Sequence, residues 1–285
     1  DFQGGGYLWL PPLMEDPENE NVIYIAGGGI NGGNHIIKLT KVGNSIQHEE
    51  MAFPFNNTIT SMAYSPIDNS HWYAMTYNGS FYHSTDYGNS WEISLGFNGP
   101  ESHYFYGSSI YPSNQTLGKV LIGGSGYSNS PVYITYNHGQ NFQNFSQGLP
   151  NTMVFKIDGT LTDQIIFAAT ELGPYAYTDE QGEWINIMGL SAPDQTYWSL
   201  EYVPEINTAR FGTYGRGIWD FIISENIDVL YGDINQDETI NIQDVILLIN
   251  IILDESDFII EADMNNDEVI NVIDVVSLVN IILGT

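Results

Sequence analysis

Oxygen-bearing side chains recur twice at fixed intervals near the C-terminal end of the chain. The stretch GDINQDETINIQD begins at Gly232, and ADMNNDEVINVID repeats its pattern 30 residues later. Asp or Asn stands at positions 1, 3, 5, 9 and 12 of each loop, and position 7 offers a backbone carbonyl. Such oxygens converge on one hard divalent cation, and their number and flexibility suit calcium better than magnesium. The candidate ligands are Asp233, Asn235, Asp237, Thr239, Asn241 and Asp244, and then Asp263, Asn265, Asp267, Val269, Asn271 and Asp274.

The alternative to a metal site is a pair of Asx-rich turns that only cap helices. Two copies in the same register favour the metal, so the sequence predicts two bound Ca²⁺ ions. Position 8 of the loops is Ile240 in one copy and Ile270 in the other. We expect these two residues to pair the loops back to back through a short strand.

Each loop leads into an almost wholly apolar helical segment. One core stripe comprises Val245, Leu248, Ile249 and Ile252, and the other comprises Val275, Leu278, Val279 and Ile282. Two short helices cannot shield every face from water by themselves. We therefore expect the off-stripe residues to contact the preceding domain, a sister chain or a separate receptor, unless the helices merely pack on each other. These residues are Ile246, Leu247, Ile251, Val276 and Ile281.

Residues 231–284 resemble a type I dockerin, a pair of calcium loop–helix repeats without the first helix of an EF-hand. The resemblance implies the calcium ligands given above and a cohesin-like receptor. Position 6, commonly Gly, is Glu238 and Glu268 here. Cellulosomal dockerins often carry a hydroxyl pair at positions 10 and 11, where this chain has Ile242–Gln243 and Val272–Ile273. This difference argues against a cellulosome-type cohesin as the partner.

A second motif recurs in the first 225 residues. STDYGNSWE matches Ser-x-Asp-x-Gly-x-x-Trp through Ser84, Asp86, Gly88 and Trp91. Weaker copies are TYNHGQNF, YTDEQGEW and LTKVGNSI, and successive copies are 45, 51 and 42 residues apart. Strand-like runs precede them, and four short strands in about 45 residues is the period of a propeller blade.

This motif resembles the Asp-box of sialidases and sortilin-like receptors, which lies in the turn between the last two strands of a blade. The resemblance implies a structural role, in which the Asp and hydroxyl satisfy backbone donors and the Trp packs between blades. The run FGTYGRGIWDF is similar to the last strands of such propellers, which gives four to five blades. GGGYLWLPP near the N-terminus is typical of the middle of a fold. We expect either a small propeller or the C-terminal part of a larger one.

Composition excludes several classes of partner. Six Lys and Arg against 35 acidic residues give a formal charge of −29. Nucleic acid and anionic membranes are therefore poor partners, because no basic patch can neutralise phosphates. The chain has no Cys, which excludes thiol catalysis and disulfides. No apolar run reaches the roughly 18 residues needed to cross a bilayer, and the start at Asp1 suggests a processed or truncated chain.

No catalytic site is evident from the sequence. A sialidase site needs three Arg, and the chain has two. A xyloglucanase-type inverting glycosidase needs two carboxylates roughly 6.5–9.5 Å apart, but turn and loop roles explain the available acids equally well. The six His show no HExxH or similar ligand spacing. The carboxylates are Asp68, Asp158, Asp163, Glu171 and Asp194, and the aromatic residues for a sugar platform are Tyr104, Tyr106, Tyr127, Tyr197 and Trp198.

The sequence thus predicts a mainly β protein: an Asp-box β-propeller in residues 1–225 and a dockerin-like, calcium-binding α-helical domain in residues 226–285. The favoured function is a non-catalytic scaffold or adhesion protein, secreted or held at the cell surface, with a calcium-dependent connector. Its partner would be a cohesin-like receptor, its own propeller or a sister chain, with glycan as a further ligand. The alternatives are a dockerin-bearing glycoside hydrolase and a subunit of a self-assembling filament.

Overall fold

The structure is a computed structural model that describes residues 11–27, 34–100, 109–189, 192–223, 231–235, 239–254, 260–265, 267 and 269–283. The chain divides into two compact units, Asp1–Ile223 and Ser224–Thr285. Some residues named above lie outside the described part, namely Tyr104, Tyr106, Asp237, Glu238 and Glu268. The run GGGYLWLPP also lies mostly outside it.

The first unit is a five-bladed β-propeller in which consecutive strands form antiparallel sheets. Within the described residues, blades 1 to 4 have four strands each and blade 5 has three. The first strands of neighbouring blades contact one another. The strands are β1 Leu13–Glu15, β2 Val22–Ala26, β3 Ile36–Val42, β4 Ser45–Glu50, β5 Ile59–Tyr64, β6 Trp72–Thr76, β7 Phe81–Ser84, β8 Glu92–Ile93, β9 Ser109–Pro112, β10 Val120–Gly123, β11 Val132–Thr135, β12 Gln143–Asn144, β13 Val154–Gly159, β14 Ile166–Thr170, β15 Gly173–Tyr177, β16 Trp184–Asn186, β17 Tyr197–Val203, β18 Thr208–Thr213 and β19 Ile218–Ile222.

Burial along the strands follows their order in the blade. The second strands β6, β10 and β14 are buried at every residue. Their sequences WYAMT, VLIG and IFAAT are correspondingly short apolar runs, as expected of strands covered on both faces. In contrast, the outer strand β4, SIQHEE, is exposed at every residue. The core therefore lies between the middle strands of neighbouring blades.

The motif turn of blade 2 joins β7 to β8 and is held by side-chain oxygens. Ser84 Oγ accepts the Gly88 N–H at 2.9 Å, and Asp86 Oδ1 accepts the Ser90 N–H at 2.8 Å. The Trp91 indole is only 8% exposed and packs in a cluster that includes Tyr24 of blade 1. Side-chain oxygens within the turn and one indole packed against blade 1 therefore hold this turn in place.

The weaker copies of the motif share this geometry to different degrees. In blade 3, Thr135 Oγ1 accepts the Gly139 N–H at 3.0 Å, and Asn137 Oδ1 accepts the Asn141 N–H at 3.1 Å. In blade 4, Trp184 is 2% exposed. In blade 1, Ile46 is 70% exposed and so does not pack between blades.

The second unit contains two α-helices, α1 Ile242–Asp254 and α2 Val272–Leu283. Leu248 and Leu278 are fully buried at the centre of its core. The predicted stripe is wrong at two positions, because Ile249 is 40% exposed and Ile282 is 37% exposed. The inward face is centred on Leu248 because the buried Asp244 also lies on it, which turns Ile249 toward the edge.

Neither described helix is long and apolar enough to cross a membrane. Ile240 and Ile270 do not form the expected strand, since the described residues of both loops have irregular backbone there. Their side chains instead pack against the helix core. The core of this small unit therefore includes apolar residues of both acidic loops.

Candidate functional site

The last acidic position of each loop organises the loop around a carboxylate. Asp244 Oδ1 accepts the N–H of Ile234 at 2.9 Å, and its Oδ2 accepts the N–H of Asn241 at 2.8 Å. Asp274 makes the equivalent bonds with Met264 at 2.9 Å and Asn271 at 2.7 Å. Two copies with the same bonding pattern show that the described parts of both loops fold in the same way.

Four carboxylates of the loops are almost fully buried. Asp244 and Asp274 are 0% exposed, Asp263 is 2% and Asp233 is 6% exposed. Burying an ionised carboxylate is costly unless an opposite charge accompanies it. The sequence has no Lys, Arg or His after Arg216, so this unit has no basic side chain to supply that charge. A bound cation fits this environment, and the oxygen ligands fit calcium.

The two Asn at position 9 cap the helices that follow. Asn241 Oδ1 accepts the Gln243 N–H at 2.8 Å, and Asn271 Oδ1 accepts the Ile273 N–H at 2.8 Å. This is the N-cap interaction, which satisfies a donor that the first helical turn leaves free. Each Asn also donates its amide to the position-7 carbonyl, Thr239 or Val269. These residues are therefore part of the loop framework as well as candidate ligands.

The remaining candidate ligands follow the loop between positions 1 and 5. In the second loop, Asp267 N–H donates to Asp263 Oδ1 at 3.1 Å and to Asn265 Oδ1 at 3.1 Å. In the first loop, Asn235 donates its side-chain amide to Gln243 Oε1 at 3.4 Å. The structure thus brings positions 1, 3 and 5 of the second loop together.

The helices expose an unusually apolar surface. Ile246 and Val276 stand 30 positions apart and are both 55% exposed, while Ile281 is 52% and Leu247 37% exposed. Ile251 is only partly exposed. Large apolar patches of this kind mark interaction sites on soluble proteins. Further exposed apolar residues extend this surface: Ile242, Ile249, Leu253, Val272, Ile273, Ile282 and Leu283.

The propeller carboxylates have structural partners. Asp163 accepts hydrogen bonds from Tyr111 Oη at 2.7 Å and from Ser113 Oγ. Asp158 accepts the Tyr202 N–H at 2.9 Å, and burial nevertheless raises the pKa of its carboxyl. Glu171 accepts a hydrogen bond from Tyr127 Oη, and Asp68 accepts one from Ser70 Oγ. Turn and inter-blade roles therefore account for these four acids.

Only part of the proposed aromatic platform is available to a ligand. Tyr197 is fully buried, so its assignment to the platform was wrong. Trp198 instead stacks on Tyr214, with ring centroids 4.9 Å apart and an interplanar angle of 14°. Tyr214 is 68% exposed and Tyr127 is 59% exposed. Tyr214 was missed because its turn between β18 and β19 has no aromatic repeat to mark it.

A cluster of histidines was also missed. His71, His83 and His138 each place a ring nitrogen within 4.8 Å of the others. His71 precedes β6, His83 lies in β7, and His138 lies in the motif turn of the next blade. No linear spacing marks them, although HWYAMTYNGSFYHS forms a hairpin that places the first two on one face.

The comparisons with known proteins agree with this description of both units. Residues 231–283 match the family model of the dockerin type I domain. The C-terminal unit is thus a dockerin type I domain that follows a five-bladed propeller. No curated protein matches the chain.

Among the solved structures that resemble the propeller in fold are two GH74 enzymes and a Raptor protein. The GH74 enzyme of Niastella koreensis is 19% identical with a TM-score of 0.54, over 74% of this chain and 36% of that one. An ancestral GH74 enzyme is 18% identical with a TM-score of 0.54, over 79% and 38%. Raptor of Chaetomium thermophilum is 14% identical with a TM-score of 0.54, over 78% and 20%. The chain spans little more than a third of either GH74 enzyme, and such identities show the fold alone.

Proposed function

We propose that this protein is a non-catalytic subunit of an extracellular assembly, attached to a cohesin-like receptor by its dockerin domain. The observation that carries the proposal is the exposed apolar surface of α1 and α2 on a domain of the dockerin type. In this proposal the propeller is the scaffold or recognition surface that the connector brings into the assembly. The extracellular location and the cohesin-like partner both follow from the type of connector.

Calcium would hold the connector in its binding form. The residues that would hold two ions are the loop ligands given above, with Asp233, Asp244, Asp263 and Asp274 buried. Calcium would supply the positive charge that these carboxylates need and would fix each loop against its helix. The proposed receptor contact therefore depends on calcium through the position of the helices.

The chemistry of the surface indicates the kind of receptor. Ile242 is 63% exposed, Val272 is 68% exposed and Ile273 is 56% exposed, at the positions where cellulosomal dockerins often carry hydroxyls. Burying an exposed Ile or Val is favourable by about 1.5–3 kcal/mol. We therefore propose a receptor with a complementary apolar face. The 30-residue repeat of the surface would allow either helix to occupy the same receptor site.

The test is binding of the full chain to a panel of immobilised cohesin modules, with calcium and with a calcium chelator. The variant Ile246→Lys/Val276→Lys/Ile281→Lys should keep its calcium-dependent melting transition and weaken binding at least tenfold, about 1.4 kcal/mol. The control is Ile46→Lys/Ile218→Lys/Ile222→Lys, which adds the same three charges at propeller residues that are 70%, 70% and 76% exposed. The control should bind like the wild type.

Three results would count against the proposal. Wild-type protein that binds no cohesin but self-associates in calcium would favour a sister chain or a filament. Binding of a cohesin that the triple variant leaves intact would place the contact elsewhere. Loss of the calcium-dependent transition in the triple variant would assign these residues to the core of the domain.

A glycan-binding propeller, including a glycoside hydrolase, is the second candidate. The observation that favours it is the stacked pair Trp198 and Tyr214, since flat aromatic faces are the surfaces on which sugar rings pack. Tyr214→Ala should then lower affinity for one member of a polysaccharide panel. Tyr136→Ala, at a 56% exposed tyrosine in the motif turn of blade 3, is the control. Release of reducing sugar from the same panel separates a hydrolase from a binding protein.

A further inference from the structure

Three imidazoles meet between blades 2 and 3 of the propeller. In the β6–β7 hairpin, Tyr73 pairs with His83, so these two side chains and that of His71 share one face. His138 reaches this face from the β11–β12 turn of blade 3. Its backbone φ is 57°, a left-handed conformation that the turn imposes and that His adopts more readily than most residues. The cluster is therefore built by two blades together.

We propose that His71, His83 and His138 form a binding site for a divalent transition-metal ion of the zinc class. This site is separate from the calcium loops and is independent of the function proposed above. Imidazole nitrogen suits zinc, copper and nickel, whereas calcium and magnesium prefer oxygen. The chemistry of the three ligands therefore selects the class of metal.

The distances within the cluster agree with a shared ion. Zinc binds imidazole nitrogen at about 2.0–2.1 Å, which places two nitrogens of a tetrahedral site about 3.3 Å apart. His71 Nδ1 lies 2.8 Å from His83 Nε2, and each of the three rings has one nitrogen within 4.8 Å of those of the others. The three rings are nearly parallel, with centroids 4.5–5.0 Å apart, so they would have to rotate for their nitrogens to converge on one ion. The alternative is a hydrogen bond between His71 and His83, with the His138 ring stacked on them.

Two of the three rings also have a polar neighbour outside the cluster. His71 Nε2 lies 3.7 Å from an Asp68 carboxylate oxygen, on the side of the ring away from Nδ1. The Tyr73 hydroxyl lies 3.0 Å from His138 Nδ1, and Tyr73 is 1% exposed. A carboxylate behind a histidine ligand fixes its tautomer and raises its basicity in known metal sites. The Asp68 carboxylate lies on this side of the His71 ring, just beyond hydrogen-bond distance.

Burial disfavours the charged form of two rings of the cluster. Burial and the neighbouring histidines, His138 first, lower the pKa of His83 to about 4. Burial and His71 also lower the pKa of His138, against an opposing effect of Asp68.

The cluster opens into a pocket of about 290 Å³. His83 and His138 line it, together with Glu92, which is directly opposite His83 in the β7–β8 pair. Three protein ligands leave a fourth position on zinc open. Water, a small anion or the Glu92 carboxylate would complete the shell from the pocket side.

The test is zinc binding to the full chain in saturating calcium, so that the dockerin loops are already occupied. Isothermal titration calorimetry should give one bound zinc per chain. Cobalt bound at the same site should give the visible absorption bands of tetrahedral coordination by nitrogen. His83→Phe keeps a ring to stack on Tyr73, and His138→Asn keeps a residue that tolerates positive φ. Each should weaken zinc binding at least tenfold, about 1.4 kcal/mol.

The control is His48→Phe, which removes an exposed histidine of β4 and should leave zinc binding unchanged. Melting temperatures in calcium without zinc show that each variant is folded. A wild-type chain that binds no zinc at micromolar concentrations overturns the proposal. It is equally overturned if folded His83→Phe and His138→Asn bind zinc as the wild type does, or if His48→Phe abolishes binding.

Discussion

At the scale of single residues, the motif turns of blades 2 and 3 make the same hydrogen bonds with two different accepting residues. Asp86 accepts hydrogen bonds from Ser84 Oγ and the Ser90 N–H, and Asn137 accepts the equivalent pair from Thr135 and Asn141. The shared requirement is one side-chain oxygen that receives two donors. A carboxylate and an amide both satisfy it, so negative charge is not what the turn needs.

The charge of Asp86 should instead make blade 2 sensitive to acid. Partial desolvation would raise the pKa of Asp86, but hydrogen bonds from Ser90 and Ser84 outweigh it and hold the pKa below its usual value. A carboxyl whose pKa is lower in the folded state stabilises the fold above its unfolded pKa of about 3.9. That stabilisation is lost as the pH falls through the folded pKa.

We predict that Asp86→Asn keeps the turn and removes this pH dependence. The melting temperature of the wild type minus that of the variant should shrink as the pH is lowered from about 5 to about 3. Glu205→Gln, an exposed carboxylate of blade 5, controls for the change in net charge. A difference that stays constant over this range would show that the Asp86 charge does not stabilise the blade.

The residues that the sequence identified are those that interact within a short segment. The calcium-loop positions and the oxygens of the motif turn act on backbone a few residues away, so their spacing is visible in the sequence. His138 meets His71 and His83 only because two blades pack side by side, and no local pattern encodes that packing. The stack of Trp198 on Tyr214 joins the start of one strand to a distant turn in the same way.

At the scale of elements, the helices show how a loop changes the burial of the helix that follows it. Asp244 is fully buried because its carboxylate organises the loop, and this fixes the rotation of α1. Apolar periodicity alone centred the stripe near Val245. The buried face is instead centred on Leu248, which lies about 60° around the helix from Val245.

Because α1 is rotated in this way, shortening two neighbouring side chains should destabilise the domain by different amounts. Leu248→Ala removes a fully buried side chain and should destabilise the domain by about 2–5 kcal/mol. Ile249→Ala removes a 40% exposed one and should change stability by less than about 1 kcal/mol. Calorimetry of the calcium-dependent transition in the full chain measures both. Equal losses would mean that α1 presents a different face to its core.

At the scale of the whole molecule, the repeat period predicted the architecture and the charge distribution predicted a second unit. Copies of one motif about 45 residues apart indicated four to five blades, and the described residues form five. Blade 1 was the weakest prediction because its turn keeps only Gly43 and an exposed Ile46. The sequence could not show which side chains of different blades meet, since that depends on the tilt and spacing of whole sheets.

The charge distribution also means that calcium could stabilise the C-terminal region in two different ways. From Asp228 onward, 58 residues carry thirteen acids and no Lys or Arg. Calcium could stabilise this region by general screening or by occupying the two loops. Screening is a property of any salt, whereas the loops require oxygen ligands at a defined spacing.

We predict that a calcium chelator lowers the melting transition of the dockerin domain and leaves the propeller transition unchanged. If each site binds calcium about 100-fold more tightly than the free concentration, each ion contributes about 2.7 kcal/mol. Asp233→Ala with Asp263→Ala should reproduce the effect of the chelator in the presence of calcium. Sodium chloride at about 1 M, where screening extends only about 3 Å, should not replace calcium. If salt restores the transition as fully as calcium does, repulsion among the acids is the whole effect, and the two loops are not specific calcium sites.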